Sequence, residues 1–220
     1  LLIAAFCPVW VSKDRVAGAH AAVQAGADVI LLDDGHQDPS LQKTLSIIVC
    51  DAKRGFGNGR PIPAGPLREP IGTGLARAQL LVTIGTDDMQ SAFDAAHGNQ
   101  VHIPRLAAHL APLPTGMPWQ GMRALAFAGI GYPDKFFASL RAEGVQLIRT
   151  QALADHQPLD RRLMQRLLAE AKAASAQLVT TEKDAVRLPA DLRGQILAFP
   201  VRLRFDDDQA LARALSKAGL

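Results

Sequence analysis

Short apolar segments alternate along the chain with longer segments in which apolar residues recur at helical spacing. The short segments predict strands at residues 8–11, 29–32, 45–51, 80–84, 124–128, 145–149, 177–180 and 195–201. The longer segments predict helices at residues 13–25, 89–96, 133–143, 160–175 and 207–218. This βαβα order is typical of an α/β fold with a mainly parallel sheet flanked by helices.

Two stretches rich in glycine and proline interrupt the alternation. The first covers residues 103–121, and we place a domain boundary there. Residues 1–120 would then form one domain, and residues 121–220 a second, smaller α/β domain. The other stretch, RGFGNGRPIPAGPLREP at residues 54–70, holds four glycines and four prolines. Long ordered loops of this kind are usually lids or binding loops.

Composition limits the choice of partner. The 220 residues are 48% hydrophobic and 20% charged, which is a globular composition and excludes a disordered chain. The net charge of +3 is compatible with a phosphorylated ligand, a membrane surface or nucleic acid. Aromatic residues are only 5% of the chain, so base-stacking platforms and a nucleic-acid partner are not expected. No apolar run approaches the roughly 18 residues that span a bilayer.

The stretch VILLDDGHQD at residues 29–38 ends a predicted buried strand on two carboxylates, Asp33 and Asp34. Ligands bind at the carboxyl ends of strands in open α/β sheets. An apolar strand that ends in Asp is also the Walker B pattern, whose Asp binds the Mg²⁺ of a nucleotide. A bound cation would offset the repulsion between the two carboxylates. From these residues alone, a solvated Asp-Asp-Gly turn is an equally good interpretation.

The glycine-rich loop offers a set of candidate phosphate contacts. Arg54, Arg60 and Arg68 lie among glycines that let backbone N–H groups approach an anion. Arginine also suits bidentate contact with phosphate. Glu69 would be a further metal contact or the partner of Arg68 in an ion pair. The alternative is a surface loop whose arginines are solvated.

Two further candidate groups follow predicted strands in the second half of the chain. Asp155 and His156 are adjacent, so the carboxylate could orient the imidazole as an acid or base, or the histidine could simply lie on a loop. The sequence VTTEKDAVR at residues 179–187 places Thr181, Lys183 and Asp184 at a strand end. These residues would contact a nucleotide base, or a residue such as Thr181 would cap a short helix.

Taken in order, the motifs DDG-x-Q, RGFGNG…PAGPLREP, FAGIGYPDKFF, DHQPL and VTTEKDAVR resemble the tetraacyldisaccharide 4'-kinases, also called lipid A 4'-kinases. The resemblance runs from near Leu1 to about Phe205. It implies a P-loop NTPase-like core and ATP and Mg²⁺ as cofactors. The implied reaction moves the γ-phosphoryl group to the 4'-hydroxyl of tetraacyldisaccharide 1-phosphate, the lipid A precursor. The implied location is the cytoplasmic face of the inner membrane of Gram-negative bacteria.

The resemblance also implies roles for individual residues. The implied catalytic residues are Asp33, Asp34, Asp155 and His156. The implied Mg²⁺ ligands are Asp33, Asp34 and Glu69. The implied nucleotide- and phosphate-binding residues are Arg54, Arg68, Thr181, Lys183 and Asp184. The implied substrate-binding residues are Asn58 and Arg60.

The chain departs from the family pattern in two ways. His36 and Asp38 flank Gln37 where many members carry an aliphatic or aromatic residue and a histidine, so the role of that histidine does not transfer to Asp38. The sequence also contains no Walker A motif, G-x-x-x-x-G-K-[ST]. In the family this motif lies upstream of Leu1, as does a Gly-Asp-Glu-Pro motif whose Asp partners the active-site histidine. We therefore expect these residues alone to be inactive and to expose a sheet edge.

Two other functions fit parts of the sequence. A non-catalytic module that binds a nucleotide or phosphate would naturally lack a P-loop. A metal-dependent glycosyltransferase or phosphatase could use Asp33 and Asp34 as its carboxylate pair. The latter would need no ATP, and it gives no account of the glycine- and arginine-rich loop.

Overall fold

The computed structural model describes residues 3–155 and 157–220, which form two compact units. The larger unit consists of Trp10–Ala111 with Leu203–Leu220, and the smaller unit of residues up to Val9 with Pro112–Arg202. Each unit contains a sheet built on parallel strands with helices packed against it, which confirms the predicted α/β class. The predicted domain boundary near residue 120 stays a prediction.

The described residues contain eight strands and seven α-helices. In chain order the strands are β1 (Ile47–Asp51), β2 (Leu80–Ile84), β3 (Arg105–Pro112), β4 (Arg123–Ala128), β5 (Gln146–Ala152), β6 (Gln177–Thr181), β7 (Leu197–Phe199) and β8 (Val201–Phe205). The helices are α1 (Arg15–Gln24), α2 (Ile71–Leu75), α3 (Asp87–His97), α4 (Pro133–Ala142), α5 (Arg161–Ala173), α6 (Glu182–Ala185) and α7 (Gln209–Lys217). None of these helices is both long enough and apolar enough to cross a bilayer.

The larger unit is built on a sheet with the strand order β1-β2-β3-β8. Strands β1, β2 and β3 are parallel, with Ile47 opposite Leu80 and Leu81 opposite Arg105. The central strand β2 alternates between two cores, as the two-residue period of a strand requires. Its Leu80 packs with residues of β8 and α7, whereas Leu81 packs with Phe93 of α3. Both faces of the sheet are therefore covered at β2.

The smaller unit has the strand order β5-β4-β6-β7, and all of its strand pairs are parallel. Strand β4 places small side chains on one face and large ones on the other. Its alanines, Ala124, Ala126 and Ala128, pack against Phe136, Phe137 and Leu140 of α4. Leu125 and Phe127 point to the opposite core, which α5 covers. Because the alanines of β4 are small, the large side chains of α4 can pack closely against the sheet, as protein cores require.

Five of the observed helices lie within two residues of their predicted ends: α1, α3, α4, α5 and α7. Local chemistry explains this agreement. Asp14 caps α1 by accepting hydrogen bonds from the N–H groups of Val16 and Ala17. Asp160 caps α5 in the same way, and Pro133 stands at the first position of α4, where it removes no helical hydrogen bond.

The predicted strands at residues 8–11 and 29–32 are wrong, because neither segment has regular secondary structure and neither pairs with a described strand. Leu31 is 89% exposed, although its apolar neighbours suggested a buried strand. An extended apolar segment becomes a strand only when a neighbour supplies the ladder of hydrogen bonds. Strand β3 was missed because it lies within the stretch that we had assigned to a boundary. The segment predicted at 195–201 is divided between β7 and the start of β8.

The core of the smaller unit gives a stability prediction. Leu140 is 0% exposed and lies beneath the alanine face of β4, so Leu140→Ala should leave a cavity. We expect the free energy of unfolding to fall by about 2–5 kcal/mol in urea denaturation. Ile148→Ala is the control in the same unit, since Ile148 is already 43% exposed and should lose much less. Equal losses for the two variants would contradict the packing described for α4.

Candidate functional site

Asp33 and Asp34 lie in a turn directly after the irregular segment 29–32. The backbone of Asp34 has φ of 51°, a left-handed conformation that is uncommon for residues other than glycine. Arg15 holds this turn by donating two hydrogen bonds of 3.2 Å to the carbonyl oxygen of Asp34. A Cβ atom on Gly35 would lie 2.6 Å from Cβ of Leu32, so only glycine fits there. The Asp-Asp-Gly turn is thus a fixed, mildly strained structure.

Asp34 forms a bidentate ion pair with Arg68 of the glycine-rich loop. Both carboxylate oxygens accept hydrogen bonds of 3.0 Å from the guanidinium. The pair is open to solvent, with side-chain exposures of 59% for Arg68 and 64% for Asp34. The hydrogen bonds and charge of Arg68 hold the pKa of Asp34 below its ordinary value. Asp33 is exposed, and the described residues give its carboxylate no hydrogen bond or ion pair.

Glu69 forms a second carboxylate–guanidinium pair, with Arg77. The guanidinium donates to its two oxygens at 2.6 and 2.8 Å, and this lowers the pKa of Glu69. Gln37 links the two pairs: its Oε1 accepts from Arg68 at 3.3 Å and its Nε2 donates to Glu69 at 3.1 Å. We call this connected set, Asp34, Arg68, Gln37, Glu69 and Arg77, the carboxylate–arginine network. Asp34 and Glu69 are thus linked through the side chains of Arg68 and Gln37.

The two residues that depart from the family pattern flank this network. A cleft of about 560 Å³ in the larger unit is lined by His36, Asp38, Lys43 and members of the network. His36 Nε2 lies 3.0 Å from the carbonyl oxygen of Gly74, which can only accept, so Nε2 carries the proton. Hydrogen bonds from the side chain and the backbone N–H of Ser40 lower the pKa of Asp38. Nε of Arg15 lies 3.4 Å from that carboxylate. His36 thus contacts α2, and Asp38 contacts Arg15, which also holds the turn.

The glycine-rich loop is closed by Asn58, one of the predicted substrate-binding residues. Its Nδ2 donates to the carbonyl of Ala64 at 2.8 Å, and its Oδ1 accepts from the backbone N–H of Arg60 at 3.2 Å. The Arg60 side chain is exposed, and the described residues give it no partner. Arg54 lies on the tight turn after β1, where its N–H donates to the Asp51 carboxylate at 3.2 Å. Arg54 and Arg60 are thus exposed on a loop with an ordered backbone.

Sequence reasoning missed His97, which anchors the start of this loop. His97 ends α3, and its Nε2 accepts a hydrogen bond of 3.4 Å from the N–H of Phe56. The imidazole also packs against the rings of Phe56 and Phe93, with centroids 5.1 and 5.2 Å away. Nothing near His97 in the sequence indicates this role, since its partner lies 41 residues earlier.

In the smaller unit, Asp155 lies in a turn that follows β5. His156 lies outside the described residues. A Cβ atom on Gly131 would lie 3.8 Å from Oδ2 of Asp155, so this carboxylate reaches the loop after β4. Asp155 therefore lies after a strand, as the sequence predicts, at the carboxyl edge of this sheet. Ligands bind at this edge in open α/β sheets.

The three TTEKD residues have different environments. Thr181 caps the short helix α6: its hydroxyl accepts a hydrogen bond of 3.1 Å from the N–H of Asp184. Lys183 is exposed, and no described residue forms a hydrogen bond or ion pair with it. Asp184 is 0% exposed and fully engaged, so its carboxylate offers no surface to a nucleotide. The capping interpretation therefore holds for Thr181, and Lys183 alone of the three extends into solvent.

The described residues contain no group of three or more His, Cys, Asp or Glu side chains arranged to hold a metal ion. Carboxylate oxygens are the ligands that Mg²⁺ prefers, so the chemistry of Asp33, Asp34 and Glu69 fits the ion. Two of these three carboxylates are paired with guanidinium groups instead. To bind a metal, Asp34 and Glu69 would have to exchange an arginine for the ion.

Comparison with known proteins identifies relatives along almost the whole chain. Residues 1–219 match the sequence model of the family described as tetraacyldisaccharide-1-P 4'-kinase. The tetraacyldisaccharide 4'-kinase of Dinoroseobacter shibae is 64% identical over 216 residues, which are 98% of this chain and 64% of that protein. The enzyme of the same name from Jannaschia sp. is 55% identical over 217 residues, 99% of this chain and 66% of that protein. This chain thus spans about two thirds of the length of these relatives.

A solved structure shares the fold. The crystal structure of the "apo" form of LpxK from Aquifex aeolicus in complex with ATP matches with a TM-score of 0.66. The match covers 94% of this chain and 63% of that one, at 20% sequence identity. At this identity the likeness concerns the fold alone, and it supports the α/β class predicted from the sequence.

The ion pair between Arg68 and Asp34 gives a titration prediction. Because Arg68 lowers the pKa of Asp34, the pair stabilises the fold above the ordinary carboxyl pKa of about 4. That contribution disappears as the pH falls through the lowered pKa. We expect Arg68→Gln to raise the pKa of Asp34 towards its ordinary value, as followed by NMR of the side-chain carboxyl carbon. Arg60→Gln, in the same loop, should leave this pKa unchanged, and an equal shift in both variants would contradict the pairing.

Proposed function

Because the chain belongs to the tetraacyldisaccharide-1-P 4'-kinase family, we propose that the intact protein transfers the γ-phosphoryl group of ATP to the 4'-hydroxyl of tetraacyldisaccharide 1-phosphate. The observation that carries this proposal is the family match over residues 1–219. The product would be a lipid A intermediate, and the partner a membrane lipid at the cytoplasmic face of the bacterial inner membrane. No nucleic-acid partner is proposed, since the chain has few aromatic residues for base stacking.

The larger unit supplies cations for the phosphate groups. Arg54 and Arg68 would bind phosphate oxygens of the nucleotide, since a guanidinium can donate two parallel hydrogen bonds to such a group. Arg60 would bind an anionic group of the lipid substrate, and Asn58 would hold the loop that presents it. Little covalent chemistry is required of the protein in phosphoryl transfer, so positioning and charge neutralisation supply most of the catalysis.

The carboxylates of the same unit would hold Mg²⁺. Asp33, Asp34 and Glu69 are the proposed ligands, and the ion would neutralise charge on the phosphates when bound. The exchange of Arg68 for the ion at Asp34 is energetically accessible. Solvent screens an exposed ion pair and leaves it weak, so a divalent ion can compete for the carboxylate. Arg68 released from Asp34 would then be free to bind a phosphate group.

The smaller unit would handle the acceptor hydroxyl and the nucleotide base. Asp155 and His156 would act at the acceptor hydroxyl, where the imidazole would help to remove the proton that the 4'-hydroxyl loses during attack. Lys183 would lay its aliphatic stem against the nucleotide base, since its side chain extends from the end of β6 into solvent. Thr181 would support this contact by fixing the start of α6.

Site-directed variants of the intact protein test this function. Transfer of radioactive phosphate from ATP to tetraacyldisaccharide 1-phosphate should require a divalent cation. We expect Asp33→Ala, Asp34→Ala and His156→Ala each to lower kcat about 100-fold or more, because each removes preorganised charge or the proton acceptor. Asp88→Ala is the control, since Asp88 lies exposed in the first turn of α3. Near-wild-type kcat and KM in all three variants would contradict the site assignment.

The exchange at Asp34 can be tested by metal binding alone. Without nucleotide, Arg68→Gln should tighten binding of Mn²⁺, a spectroscopic substitute for Mg²⁺, because the guanidinium no longer competes for the carboxylate. The same variant should bind ATP more weakly, since it loses a phosphate contact. Electron paramagnetic resonance titration measures the first effect and calorimetry the second. Arg60→Gln should leave Mn²⁺ affinity unchanged, and weaker Mn²⁺ binding in Arg68→Gln would contradict the exchange.

A further inference from the structure

Asp184 is a charged side chain inside the smaller unit, with 0% of its surface exposed. A buried carboxylate is costly unless it is paired and its oxygens accept hydrogen bonds. One of its oxygens accepts from the N–H of Gly129 at 2.9 Å and from the hydroxyl of Thr181 at 2.9 Å. The other accepts from Nη1 of Arg187 at 3.1 Å. These three donors compensate the burial of the charge.

The donors belong to different segments at the carboxyl edge of the sheet. Gly129 directly follows β4, and Thr181 ends β6, the parallel neighbour of β4. Arg187 uses its second nitrogen to donate to the carbonyl oxygen of Gln157 at 2.7 Å, in the segment after β5. Through these contacts Asp184 connects the loops that follow all three strands.

The segment after β5 is a closed turn. The N–H of Gln157 donates to the carbonyl of Ala154 at 3.0 Å, and the side-chain oxygen of Gln157 accepts from the N–H of Ala154 at 3.1 Å. Asp155 lies inside this turn. The glycines after β4 allow the turn to approach: a Cβ atom on Gly129 would lie 3.3 Å from Oδ1 of Asp184 and 3.5 Å from the carbonyl oxygen of Ala154.

From this geometry we propose that Asp184 and Arg187 are positioning residues that fix the Ala154–Gln157 turn, and with it Asp155, for proton transfer. Asp184 would then act through Arg187 and Gly129, without the direct nucleotide contact that its sequence motif suggested. This inference rests on the proposed kinase function for its catalytic consequence, but its structural content stands on the contacts alone.

Arginine is required at position 187 because one guanidinium serves two acceptors at once. Lysine has a single ammonium group, which could keep the ion pair with Asp184 but could not also reach Gln157 in the same planar arrangement. Arg187→Lys therefore separates the two roles: the buried charge stays paired, whereas the link to the turn is lost. Arg161→Lys is the matched control, because Arg161 forms an exposed bidentate pair with Asp191 in the same unit.

The experiment uses the intact protein with two readouts. Hydrogen–deuterium exchange measures protection of the amides at residues 153–157, and steady-state kinetics separates kcat from KM for ATP. We expect Arg187→Lys to increase exchange in this segment and to lower kcat about 10- to 100-fold, typical of lost supporting contacts. The KM for ATP should stay within about twofold, because the pair does not touch the nucleotide. Arg161→Lys should change neither readout.

Three results would overturn the inference. Unchanged exchange at residues 153–157 would show that Arg187 does not fix the turn. A lower kcat without increased exchange would indicate direct contact with the reacting groups. A raised KM for ATP at unchanged kcat would indicate a nucleotide contact. If the wild-type protein transfers no phosphate, the proposed function fails, and the exchange readout still decides whether Asp184 and Arg187 fix the turn.

Discussion

Two ion pairs between an Asp carboxylate and an Arg guanidinium hold the loops at the candidate site, one pair in each unit. Asp34 is paired with Arg68 in the larger unit, and Asp184 with Arg187 in the smaller unit. Both are carboxylate–guanidinium pairs, but the Asp184 carboxylate is buried and the Asp34 carboxylate is exposed, so loss of each pair has a different effect on stability. Solvent screens an exposed pair and leaves it weak, whereas removing one partner of a buried pair costs about 3–5 kcal/mol. The exchange that we propose at Asp34 would therefore disturb the larger unit little, whereas loss of the pair at Asp184 would destabilise the smaller unit.

The exchangeable pair needs a loop that holds its backbone while its side chains move. The glycine-rich loop meets this requirement through internal contacts: Asn58 bridges its two limbs, and Pro61 and Leu67 pair as an isolated parallel bridge. His97 fixes the first turn of the loop from α3. Because these contacts involve the backbone, the side chain of Arg68 could leave Asp34, and that of Arg60 could bind an anion, without rearranging the loop. Presentation of mobile cations from an ordered loop lowers the entropy lost when an anion binds.

Local sequence signals, such as helix caps, predicted most of the helices. Whether a segment formed a strand depended on pairing with a segment distant in the sequence. Caps such as Asp14 and Asp160 act within one turn of their helix, so the sequence contains the whole reason for the helix start. A strand depends on its neighbour. Residues 29–32 have the composition of a buried strand, yet they form none because no described strand pairs with them. The opposite error occurred at β3, where flanking prolines indicated a linker although β2 on one side and β8 on the other supply the ladder.

The same contrast between local and non-local information applies to the candidate site. The sequence shows the type of each residue but not its partner. The sequence identified Asp34 and Asp184 as carboxylates near functional loops, but it could not tell an exposed carboxylate from a wholly buried one. One signal was available: Arg187 follows Asp184 by three residues, a spacing that brings side chains together on a helical turn. The contacts with Gly129 and Gln157 join residues 55 and 30 positions away, which no local pattern encodes. Because the loops after three parallel strands meet at one sheet edge, a single buried charge can order them all. If the turn that contains Asp155 takes part in proton transfer, as we propose, it acquires its geometry from the core, whereas Asp34 in the larger unit remains open to solvent and to ligands.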